Sequence, residues 1–125
     1  MIEFLLRIIL AVIAVSTVLT GLLLLIAPDW PLSIIAHDQT ALAAHFFATV
    51  GMFMVITGAM FLQTLLARSR EPAVPFWIGV QKAAGAALVA WAVVRGLLIP
   101  LSYLVAAFDA ATALLVLAFW RRLAR

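Results

Sequence analysis

Long apolar runs dominate this chain, and only short polar or proline-containing stretches interrupt them. The first run extends from Phe4 to Ala27 and stops at Pro28-Asp29-Trp30-Pro31. The second extends from Thr40 to Ala67 and stops at Arg68-Ser69-Arg70-Glu71-Pro72. The third covers Val74 to Ile99 and stops at Pro100; the fourth covers Leu101 to Trp120 and stops at Arg121-Arg122. A membrane-crossing helix needs about 20 mostly apolar residues. The pattern therefore predicts an all-α, four-transmembrane-helix bundle with spans near 4–27, 40–67, 74–99 and 101–120, forming one domain over residues 1–125. The first run exceeds the apolar core of a secretory signal, and no small-residue cleavage site follows it, so it reads as a span.

Small residues recur at helical spacing inside the runs. Span two has Ala44, Ala48, Gly51, Val55 and Gly58; span three has Gly79, Ala83, Ala86 and Ala90; span four has Ala106, Ala110 and Ala113. In lipid, helices approach closely where side chains are small, so these faces are expected to pack in an antiparallel up-down bundle.

Charge sets the expected orientation. Arg7, Arg68, Arg70, Arg121, Arg122 and Arg125 flank the spans on one side, whereas Pro28 to Gln39 has no Lys or Arg and the turn at Pro100 has no charge. Positive flanks stay in the cytoplasm. Both termini are expected inside, in a membrane of the bacterial inner type. The eight Lys and Arg thus describe topology rather than nucleic-acid binding. Glu3 and Arg7 make an i,i+4 pair that reads as a solvated helix start.

Composition narrows the class further. Hydrophobic residues make up 68% and charged residues 10%, against about 45–50% and 25% in soluble domains. The chain has no cysteine, which removes thiol chemistry and Cys-ligated metals.

Four charged or titratable residues, His45, Lys82, Arg95 and Asp109, sit well inside the runs. A charge in lipid is expensive and marks a pairing or a site. Counted from the outer ends at the helical rise, His45 and Arg95 lie roughly 7 Å deep and Asp109 roughly 12 Å. Thr49 is one turn from His45, and Thr20 is in the outer part of span one. The expected pairing is Arg95 with Asp109, across the short turn at Pro100. With His45, Thr49 and Thr20 it would make a ligand-binding polar site in the outer half of the bundle. Lys82 is expected to snorkel to the inner interface; an inner polar site with Gln81 and Gln63 is the alternative. His45 and Asp109 are the only acid–base candidates, since His titrates near neutrality. One His, one Asp and no Cys make a poor metal set. With His37 in the outer loop, bis-His haem ligation is not expected. No metal and no cofactor are expected.

Several of these features together resemble the small DoxX-like four-helix membrane proteins. They are Gly21 with an apolar run to Pro28, Ala44-His45-Phe46-Phe47 followed by Gly51 and Gly58, Arg95-Gly96, and Asp109 in span four. Related sequences often carry Arg near the position of His45 and Glu near that of Asp109, so the polar site differs here. The resemblance implies a four-helix bundle; some members of the group are accessory subunits of membrane oxidoreductases.

The expected function is a non-enzymatic accessory or binding subunit. Its partners would be a membrane lipid or a quinone-like molecule, and a larger membrane complex or copies of itself. The alternatives are a small membrane enzyme using His45 and Asp109, an isomerase or oxidoreductase-associated, and a small transporter.

Overall fold

The computed structural model describes all residues from Met1 to Arg125. It is all-helical, with the order α1 (Ile2–Ile26), α2 (Asp29–Ile35), α3 (Ala41–Leu66), α4 (Ala73–Val94), a 3-10 turn (Pro100–Ser102) and α5 (Tyr103–Leu123). Four of these helices are long and apolar enough to cross a membrane. Their outward faces carry large apolar side chains, among them Val12, Phe46, Ile56, Leu88, Leu104 and Leu114. Buried positions instead include Gly21, Gly51, Gly58, Gly79, Thr17 and Thr112. This inversion of the water-soluble pattern suits a multi-pass membrane protein, where apolar flanks meet lipid and small residues let backbones approach.

Helix ends account for the differences from the expected boundaries. The third span stops at Val94 rather than near Ile99. Gly96 adopts φ 73°, with Gly96 N–H donating to Val93 O and Leu97 N–H to Ala92 O. These are the paired bonds that close a helix on a left-handed residue. The same closure ends α3, where Arg68 N–H donates to Leu65 O and Ser69 N–H to Thr64 O. Here the left-handed residue is Arg68, at φ 53°. Thr40 starts α3 by accepting from Ala43 N–H at 3.1 Å. The stretch expected as a plain outer loop contains α2. Pro31 falls in its first turn, where a proline's missing N–H costs little.

The core is built by two helix pairs, α1 chiefly on α3 and α4 chiefly on α5. A methyl group on Gly21 would lie 2.7 Å from Gly51 O, and one on Gly58 would lie 2.9 Å from Val18 Cγ2. The glycines of α3 therefore allow α1 to sit on its backbone. On the other pair, Leu117 fills the notch at Gly79. Ala83 and Ala110, expected on packed faces, are exposed; Gly79, Ala86, Ala106 and Ala113 are buried. Leu10, Ala14, Phe61, Leu65, Ile78, Val116, Phe119 and Leu123 unite all four long helices in one cluster.

Both ends of the bundle are tied. At the turn end, His37 N–H donates to Leu97 O and Ile99 N–H to Ile35 O. The short chain after α2 is thus bridged to the α4–α5 turn. At the arginine end, the Arg7 guanidinium donates to Leu65 O and Ser69 O, both at 3.3 Å. It also lies 5.1 Å from the centre of the Phe119 ring. Arg7 thereby adds a second donor to Leu65 O, which already accepts from Arg68 N–H, and engages Ser69 O just past the end of α3. Glu3 accepts from Arg70 at 3.2 Å and stands 3.8 Å from Arg7. The Glu3–Arg7 pair is thus part of a clamp between α1 and the α3–α4 turn.

Candidate functional site: a polar seam between the helix pairs

Spacing along each helix brings polar side chains onto buried stripes. Thr17 falls between Ala14 and Gly21 on α1, Lys82 between Gly79 and Ala86 on α4, and Asp109 between Ala106 and Thr112 on α5. Each step is three or four residues, which keeps one helical face. Packing then places these three side chains together near the middle of the helices.

Lys82 Nζ lies 3.2 Å from Asp109 Oδ1, with both side chains largely buried, at 14% and 19% exposure. The same nitrogen lies 3.5 Å from Thr17 Oγ1. Thr17 donates its hydroxyl proton to Ile13 O at 2.9 Å, so only its lone pairs face the ammonium. Thr57 has the same arrangement. It donates to Phe53 O at 2.7 Å and accepts from Gln81 Nε2 at 3.4 Å. Each threonine is thus turned into an acceptor by its own helix. All four long helices contribute a polar group.

These groups surround very little space. A cavity of about 10 Å³ is lined by Thr17, Thr57, Gln81, Lys82, Thr112 and their apolar neighbours. That is about the room one water needs. A larger space lies on the outside of the α1–α3 pair. It is an open groove of about 570 Å³ along Val18, Ala59, Leu62, Gln63, Leu66 and Ala67.

The expected Arg95–Asp109 pair is replaced by Lys82–Asp109. Gly85 of α4 is the residue level with Asp109, since a methyl group there would lie 3.7 Å from Asp109 Oδ2. Arg95 lies ten residues further on, about 15 Å along a helix, beyond an arginine's reach. It is exposed and ends α4. Lys82 is only three residues from Gly85, so its stem reaches the carboxylate. Its expected snorkelling is accordingly corrected to an internal pairing.

The other candidates are dispersed. His45 is exposed on α3, with its ring edge-on to Phe46 at 6.2 Å. It lies twelve residues, about 18 Å, from Thr57 along that helix. Thr49 is half-buried and donates to His45 O at 3.1 Å. Thr20 is exposed on α1. Of the expected set, only Asp109 lies in the seam. Thr17, Thr57, Gln81 and Thr112 join it instead. The signal for Thr17 was available in its spacing from the buried glycines. Lys82 and Gln81 belong to the alternative inner polar site expected with Gln63, which instead lines the outer groove, and Thr57 depends on packing between α3 and α4.

Compared with known proteins, the chain matches no family model, no curated protein and no solved structure.

Proposed function

We propose that this chain is a non-enzymatic membrane subunit that binds through its outer surface rather than through an internal chamber. The observation that carries this reading is the narrowness of the seam. Lys82 and Asp109 pair with each other, and the cavity beside them has room for about one water. No reacting substrate of ordinary size fits there. The exposed apolar flanks, including the groove on α1 and α3, are what the protein offers to lipid or to a membrane partner.

An antiparallel up-down arrangement fits the contacts. Arg7, Ala14 and Gly21 of α1 meet Leu65, Gly58 and Gly51 of α3 in reverse order. In this reading both termini face the cytoplasm of a bacterial inner membrane, because the arginine end carries the positive flanks. An accessory role also agrees with the resemblance to DoxX-like proteins.

The enzyme alternative has less support, since His45 is remote from Asp109 and Asp109 is engaged by Lys82. Extraction in mild detergent followed by native mass spectrometry tests the proposal. Retained lipid or a larger complex is expected, and His45→Ala should leave that association intact. A bare monomer with neither lipid nor partner would sink the reading.

A further inference from the structure

We propose that the α1–α3 groove is a docking site for one anionic phospholipid, whose phosphate is held by Arg68. The inference deepens the binding-subunit reading and rests on it.

The groove has the dimensions of a single leaflet. Its α3 wall runs from Ala59 to Ala67, eight helical steps or about 12 Å. One half of a bilayer's hydrocarbon core is roughly 15 Å. A lipid tail matches this length, whereas a spanning helix would need a face twice as long. The walls suit a tail as well, because Val18, Ala59, Leu62, Leu66 and Ala67 are apolar.

Polarity along the groove is graded in the order that a phospholipid presents. Gln63 is the only polar lining residue. It lies one turn, about 6 Å, below Ala67, at the depth of an ester carbonyl, to which its amide can donate. Arg68 follows Ala67, the last lining residue at the end of α3, directly in the chain. Its backbone is pinned in the left-handed conformation by the bonds that end α3.

Charge selects the headgroup. At this end Glu3 is occupied by Arg7 and Arg70, and Glu71 caps Ala73 N–H at 3.1 Å. Arg68 is exposed and takes part in none of the three ion pairs. A guanidinium without a carboxylate partner, beside a tail-sized apolar groove, matches a phosphate. A net anionic headgroup is favoured over a zwitterionic one, which brings its own cation.

The test uses full-length protein reconstituted with equimolar phosphatidylglycerol and phosphatidylcholine, re-extracted in mild detergent and weighed by native mass spectrometry. Wild type should retain phosphatidylglycerol over phosphatidylcholine by about fivefold, the contribution of one arginine at a membrane surface. Arg68→Gln should bring the ratio close to parity. Ala59→Phe, on an exposed wall position, should lower retention of both lipids with helical circular dichroism unchanged. Arg121→Gln, at an exposed arginine on α5, should keep the wild-type ratio. Parity in the wild type, or an equal loss in Arg121→Gln, overturns the groove site. Unselective lipid retention would do so while leaving the broader binding-subunit reading standing; retention of no lipid and no partner removes both.

Discussion

Lys82 of α4 meets Asp109 of α5 at 3.2 Å, and the same ammonium lies 3.5 Å from Thr17 of α1. One side chain therefore links three helices and joins the two helix pairs. Removing either charge leaves the other buried without a counter-charge. Asp109→Asn and Lys82→Met, made singly, should each destabilise the fold by about 3 kcal/mol. The double variant Lys82→Met/Asp109→Leu should recover most of that loss, because an apolar pair restores the match. Equilibrium unfolding in mixed micelles reads this. Single variants within about 0.5 kcal/mol of wild type would mean that the pair does not hold the bundle together.

Two glycines should respond in opposite ways to the same substitution. A methyl group on Gly51 would lie 2.7 Å from Leu25 N and 2.8 Å from Leu24 Cβ. Gly51→Ala has to push α1 off α3 and should cost about 1–3 kcal/mol. At Gly85 the nearest atom is Asp109 Oδ2 at 3.7 Å. Gly85→Ala should be neutral or stabilising by up to about 1 kcal/mol, from helix propensity alone. Thermal midpoints in one detergent compare the two directly; equal shifts would contradict the glycine-mediated contact.

Arg68 sits at φ 53°, a conformation that costs a residue with a Cβ roughly 1–2 kcal/mol. Arg68→Gly should therefore raise stability by about 1 kcal/mol in neutral detergent. Arg68→Ala should not, because alanine keeps the Cβ. In phosphatidylglycerol-containing bilayers the glycine variant should also lose the headgroup preference. Stability and lipid selection would then move in opposite directions at one residue.

The proposed sidedness has a clean chemical test, since the chain has no cysteine of its own. Gln39→Cys, at the exposed turn end, should react with an impermeant maleimide on intact cells. Arg125→Cys should react only after permeabilisation. The reverse result would invert the topology.

The existence of four membrane-length helices was legible in the sequence, because apolar run length is a local property that lipid enforces on any chain. The arginine end was legible too, although not that Arg7 reaches across to Leu65 O and Ser69 O. Helix ends were read less well. Gly96 stops α4 five residues before the apolar run ends, because a glycine takes the left-handed turn without steric cost and hydropathy does not register it.

Hydropathy alone determined that Lys82 and Asp109 lie inside membrane-length helices, where each must find a partner or reach the interface. It could not choose their partners. Counting depth along separate helices put Asp109 nearest to Arg95 and sent Lys82 to the interface. Tertiary structure decided otherwise, because α4 packs on α5 with Gly85 level with Asp109, and that level places Lys82 within reach and Arg95 beyond it. The seam became a closed ion pair for the same reason. Residue type fixes which side chains need a partner, whereas the axial offset between packed helices fixes which one each receives.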